Sequence, residues 1–218
     1  SDARTLIPSA IPVSAAGDNM WICLCPSGAT LLQAILSSLV ADYIVRQKLS
    51  GSTMSAYYLA QIAVPSPTTF SQTPSWSGEP LSTWLHRRVL ELTYTSFRMG
   101  PYARLLGYDG PPFEWDPERR TLLRAEIDAA MMHVYGLERP EAEHVLDSFA
   151  VLRRYEERDF GEFRTKRLVL EFFDSMADSS RSNSDAPASW VASGEAPLPP
   201  RVRSAATGRP KTRGDSDE

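Results

Sequence analysis

Ala29-Thr30-Leu31-Leu32-Gln33-Ala34-Ile35-Leu36-Ser37-Ser38-Leu39-Val40-Ala41-Asp42-Tyr43-Ile44-Val45-Arg46-Gln47-Lys48 is the run from which the fold is read. Leu32, Ile35, Leu36, Leu39 and Tyr43 fall at helical spacing, so the run predicts one helix with a broad buried face. It ends in the charged triplet Arg46-Gln47-Lys48 and points at a polar corner, Ser50-Gly51-Ser52-Thr53. A short second helix and an extended exit over 61–67 follow. A buried helix that carries basic and small hydroxyl residues to an exposed turn can offer them to a polyanion. The same pattern also describes a core helix with an ordinary polar end.

Working outward toward the N-terminus, Thr5-Leu6-Ile7 with Ile11-Pro12-Val13, and Met20-Trp21-Ile22-Cys23-Leu24, read as two strands around the turn Ala16-Gly17-Asp18-Asn19. Pro8 and Pro12 push the first of them to an edge. Cys23 and Cys25 lie two apart on one strand face, which suits packing better than a disulfide, so both are expected as small core thiols. Two cysteines without a secretory leader fit a reducing, cytoplasmic compartment. Residues 21–45 are long and mostly apolar, but Pro26, Gly28, Gln33 and Asp42 interrupt them, so strand, turn and helix is preferred to a membrane span.

Working toward the C-terminus, residues 68–80 form a Ser/Thr/Pro connector (Pro74, Ser75, Ser77, Gly78), polar enough to separate two packing units. Beyond it the chain is helical in pattern to residue 177. Ser82 can cap a helix through Arg98 with two apolar faces. His86, Arg87 and Arg88 lie on its first turns, where the helix dipole disfavours cations. That points to an anionic partner for Arg87 and Arg88, or to salt bridges with Glu91 or another helix. Residues 101–115 read as a Gly/Pro loop that buries Tyr102, Tyr108, Phe113 and Trp115. Asp116-Pro117 is an N-cap with proline at the first helical position, and Leu123, Ile127, Ala130, Met131 and Val134 make a stripe that Gly136 stops. Pro140 starts a short helix to Phe149. Gly161 opens the last helix, with Val169, Phe172, Phe173 and Met176 on one face. Arg164, Lys166 and Arg167 face Glu156, Glu157, Asp159 and Glu162 as a paired, solvated surface. Residues 179–218 have too few apolar groups to offset ordering entropy and are expected to be a disordered tail.

A chain of 218 residues can bury one core, or one core and a small satellite. Its net charge of −4 gives no global basic signal for nucleic acid, which argues against a free-standing DNA-binding protein; a module tethered to a larger enzyme escapes the objection. It opens on Ser1, and the expectation is a segment of something longer. No nucleophile elbow, phosphate-binding loop or His-Glu-x-x-His is present, and no metal site is expected from His86, His133 and His144. Gly110-Pro111-Pro112-Phe113 superficially resembles the tetrad that holds an adenine amino group, but glycine offers no side-chain acceptor. No catalytic or cofactor-binding residue is assigned.

The helix ending in Arg46-Gln47-Lys48, the Gly-Ser/Thr turn and the exit Ile62-Ala63-Val64-Pro65-Ser66-Pro67 together resemble the target-recognition region of adenine-N6 DNA methyltransferases of the fused restriction-modification type. The stretch 106–116, with Arg119-Arg120 and Tyr135-Gly136, and the stretch 160–166 are similar to the C-terminal end of the same proteins. The resemblance implies an α+β, mostly α-helical chain, with a strand-plus-helix recognition subdomain over 1–67, a linker over 68–80 and a helical support over 81–178. It further implies double-stranded DNA as a partner, contacted by Arg46, Lys48, Ser52 and Thr53 at phosphates and by Gln47 at a base edge, with Arg87 and Arg88 nearby. S-adenosylmethionine and the catalysis would belong to a methyltransferase domain of the same polypeptide, in a phage-defence setting. The alternative is a non-enzymatic helical protein-interaction module whose acidic balance makes protein its partner.

Overall fold

In the computed structural model the described residues are 3–182, apart from Val13, Ala15, Ala16, Asp18, Asn19, Pro26, Ser27, Ser50, Ser52 and Thr53. They form ten α-helices: α1 (Ala29–Ser37), α2 (Leu39–Lys48), α3 (Ala56–Leu59), α4 (Pro67–Phe70), α5 (Leu81–Thr93), α6 (Gly100–Leu105), α7 (Pro117–Val134), α8 (Arg139–Asp147), α9 (Ala150–Phe160) and α10 (Arg164–Ser182). The α+β expectation is therefore corrected, because no strand occurs among the described residues. The two segments expected as strands are short, and a lone two-stranded pair is marginal in water. Pro8 and Pro12 also remove two of the donors such a pair needs.

The run 29–48 is two helices, not one, with axes 68° apart. Ser38 is extended (φ −74°, ψ 150°) and its hydroxyl donates to Ile35 O at 2.7 Å while accepting from Ala41 N at 3.3 Å. The next amide, Leu39 N–H, donates to Asp128 Oδ1 at 2.6 Å instead of to a carbonyl of its own turn. A side-chain cap and a carboxylate from another helix thus replace the backbone bonds that would carry α1 into α2. Among the described residues no single helix is long and apolar enough to cross a membrane.

α7 is the centre of the fold. Ala129, Ala130, Met131 and Met132 are consecutive and fully buried, which places helices around it on every side over that turn. Asp116 caps it by accepting from Arg119 N at 3.1 Å, with Pro117 at the first helical position, as the sequence indicates. α10 lies along α7 and presents Val169, Phe172, Phe173 and Met176 to the same core. α1 packs on α5, and α2 reaches α7 and α8.

One cluster runs from Ala34 and Leu39 through Phe70 and Trp76 to Met176, so the expected linker over 68–80 contributes two aromatics to a core that both expected units share. A second, smaller cluster gathers Leu90, Tyr94, Met99, Ala103 and Phe113. Around it Tyr102 and Tyr108 are half-buried, whereas Trp115, expected inside, is exposed. α9 is not expected from the sequence pattern; none of its residues is fully buried, and Leu152 is its one hydrophobic packed partly against the core. Gly161, expected to open the last helix, instead closes α9 in the left-handed conformation (φ 76°) that glycine adopts without a Cβ clash. Residues 179–182 belong to α10, and the rest of the expected tail lies outside the described residues.

Candidate functional site

The residues expected at a DNA surface sit in several different environments. Asp42 is fully buried on α2 and collects four donors. Its Oδ2 accepts from Arg4 Nε at 2.9 Å, Thr5 N at 2.9 Å and Leu6 N at 3.1 Å, and its Oδ1 accepts from Arg46 Nε at 2.7 Å. Arg46 also donates through Nη2 to Ala3 O at 2.8 Å, and its guanidinium lies 4.2 Å from the centre of the Phe149 ring. These contacts make Arg46 a clamp on the N-terminal arm. A buried carboxylate needs such partners, because an unpaired charge taken out of water is strongly unfavourable.

Arg88 is likewise turned inward. It pairs with Glu126 of α7, donates to Trp84 O and lies 3.4 Å from the centre of the Trp84 ring. Burial works against both charges, lowering the pKa of Arg88 and raising that of Glu126, and each partner's charge opposes the other's shift. Of the two readings open for these arginines, a bridge to another helix is the one that forms for Arg88. Arg87 is exposed and pairs with Glu79. Gln47 and Lys48 are exposed at the end of α2, and Ser52 and Thr53 lie outside the described residues. The basic residues of α10 are paired, but of the expected partners only Glu162 is used, by Arg167, which also meets Glu171; Lys166 pairs with Asp147 and Arg164 with Glu118, while Glu157 and Asp159 pair with Arg153 and Arg158 of α9.

The feature that sequence reasoning missed is the segment 20–24. Met20 (59%), Trp21 (55%), Ile22 (56%) and Leu24 (88%) are all exposed, as is Cys23. The expected burial of the thiols is thus corrected: Cys23 faces solvent, and Cys25 is half-buried. Among the described residues the backbone of 21–24 makes no backbone hydrogen bond. Side chains at i and i+2 of an extended segment share a face. If 21–24 is extended, Trp21 with Cys23 and Ile22 with Leu24 would occupy opposite faces, and the side chains of all four are exposed. The segment is tethered by the Trp21 indole, whose Nε1 donates to Met54 O at 2.8 Å ahead of α3. Its β-branched and aromatic composition is what suggests a strand; what the pattern does not show is that no strand forms among the described residues to pair with it.

Among the described residues no group of three His, Cys, Asp or Glu side chains could hold a metal ion. No family model, no curated protein and no solved structure matches this chain.

Proposed function

We propose that the chain is a protein-interaction module. Its helical body holds residues 20–24 as an extended apolar segment that pairs with an open sheet edge of a protein partner. The observation that carries this reading is a run of exposed apolar side chains over 20–24 in which the backbone of 21–24 makes no backbone hydrogen bond among the described residues. An extended segment of this kind gains main-chain hydrogen bonds from an accepting sheet edge, while alternate side chains enter pockets beside it. Left in water it exposes apolar surface of the sort that marks interaction sites.

The DNA-recognition reading has less to draw on. Arg46 and Arg88 are engaged with Asp42 and Glu126, which leaves Gln47, Lys48 and the Glu79-paired Arg87 as its described candidates. With Arg46 and Arg88 engaged, the described residues of the expected surface, on a chain of net charge −4, offer a small electrostatic footprint for duplex binding. This distribution supports protein over DNA as the partner.

The test compares the full chain with the double variant Ile22→Lys, Leu24→Lys as bait, followed by hydrogen exchange on the captured complex. The proposal expects capture to be lost in the variant, and the amides of 21–24 to become protected in the wild-type complex. Capture that survives the substitutions, or duplex DNA binding whose log affinity falls steeply with log salt and flattens on Lys48→Ala, would contradict it.

A further inference from the structure

A cleft of about 650 Å³ opens between the N-terminal arm, the ends of α1 and α5, and one face of α7. Its volume lies within the range of small-molecule sites, which are mostly apolar with a few placed polar groups. The apolar wall includes Leu6, Ile7, Leu92, Ile127 and Leu152, and the charged groups of the lining are the guanidiniums of Arg4, Arg120 and Arg124 and the carboxylates of Asp128 and Glu156.

The charged groups differ in how far they are already engaged. Arg4 is committed to Asp42 and to Ser37 O. Glu156 accepts from the amide and hydroxyl of Thr165, and Asp128 accepts from Leu39 N. Arg120 is 91% buried by the 9% that remains exposed; its Nη1 donates to Leu92 O at 2.9 Å and its plane lies 3.7 Å from the Trp115 ring centre. Its Nε is buried without a hydrogen-bond partner. Arg124, one turn further along α7, is exposed and makes no hydrogen bond or ion pair with any described residue. Like charges at i and i+4 repel, and the Arg124 charge adds to burial in lowering the pKa of Arg120. Glu91, whose charge also reaches Arg120, is held by Arg119.

From the buried, unpartnered Nε of Arg120 and the exposed Arg124 guanidinium, whose charge also reaches Asp128, beside an apolar wall, we infer that the cleft binds a small monoanion, a carboxylate carried on a compact apolar body. The carboxylate bridges Arg124 and Arg120, and the body lies against Leu92, Ile127 and Leu152. Binding here is independent of the segment 20–24, none of whose residues lines the cleft.

The experiment titrates the full chain with octanoate by calorimetry at low salt. Octanol serves as the uncharged body and inorganic phosphate as the anion without a body. The expected result is one saturable octanoate site, weakened about tenfold or more by Arg124→Gln, as loss of a charge-assisted hydrogen bond implies. Octanol and phosphate each bind at least about tenfold more weakly, and octanoate shifts the Arg120 Nε–H resonance. No saturable octanoate site, equal binding of octanol or phosphate, or an Arg124→Gln variant that binds like the wild type would overturn the inference. Arg124 is exposed, so its substitution leaves the fold intact for this comparison.

Discussion

Asp42 Oδ1 accepts from Arg46 Nε at 2.7 Å across one turn of α2, while Oδ2 of the same buried carboxylate holds Arg4 and the amides of Thr5 and Leu6. Asp42 is thus the principal acceptor fastening the arm to the body, beside the bonds of Arg46 to Ala3 O and of Arg4 to Ser37 O. Asp42→Ala leaves two guanidiniums and two amides without their acceptor, and is expected to destabilise the chain by about 3–5 kcal/mol. Arg46→Ala is expected to cost less, about 1–2 kcal/mol, because its side chain is 23% exposed and water can replace part of what is lost. Urea unfolding measures both, and the Thr5 and Leu6 amides should exchange faster in Asp42→Ala than in the wild type.

Asp128 titrates in an unusual range. Burial pushes its carboxyl up to about 6, against the pull of Arg4 and the Leu39 amide. A carboxyl with a raised folded-state pKa binds its proton more tightly in the native chain. Its contribution to stability is therefore full below the ordinary pKa of 3.8 and is lost as pH rises through about 6. Asp128→Asn keeps an acceptor for Leu39 N without the charge. The variant is expected to lose the part of the stability decline between pH 4 and 6 that belongs to this group, on the order of 3 kcal/mol at about 1.4 kcal/mol per pH unit. Unfolding midpoints across that pH window check the sign and the size.

Arg88 and Glu126 form a bridge between α5 and α7 with both partners largely out of water. Removing either one strands the other. Arg88→Ala and Glu126→Ala are each expected to cost about 3 kcal/mol, and the double variant less than the sum, with a coupling of about 1–3 kcal/mol. A double-mutant cycle in urea that finds additive effects would show that the bridge contributes little beyond the packing of Arg88 on Trp84.

Ile22→Lys and Leu24→Lys change side chains that the body does not bury. Each is expected to alter stability by no more than about 0.5 kcal/mol, as for surface substitutions in general. Trp21→Ala removes the indole bond to Met54 O and is expected to loosen the segment without unfolding α7. Thermal denaturation separates the two effects, and a loss of several kcal/mol from the lysine variants would mean that the segment belongs to the core.

The elements most legible in the sequence were those with a marked start, stop and stripe. α7 has all three: Asp116-Pro117 at its start, Gly136 just past its end, and an apolar face between. α10 shows its stripe as clearly. The break at Ser38 is hidden because the apolar spacing continues across it; its cause, Asp128 reaching Leu39 N, lies 89 residues away in the chain. α9 was hidden for the opposite reason, having nothing buried. At the candidate site, composition suggests a strand over 20–24 and none forms among the described residues, because pairing depends on a partner strand elsewhere. The spacing of Asp42 and Arg46, four apart on one helix, was a signal in plain view that Arg46 is engaged internally. For Arg88, the two apolar faces of α5 pointed the same way, since a helix packed on two sides leaves its basic residues little open surface.

The central claim is that residues 20–24 form an extended segment held ready for a partner strand. Amide hydrogen exchange of the free full-length chain tests this most directly. The amides of Trp21, Ile22, Cys23 and Leu24 are expected to exchange at close to the rate of an unstructured peptide while those at the centre of α7 are strongly protected. Strong protection of the four amides in the free chain would mean that the segment is already paired, and would contradict the account.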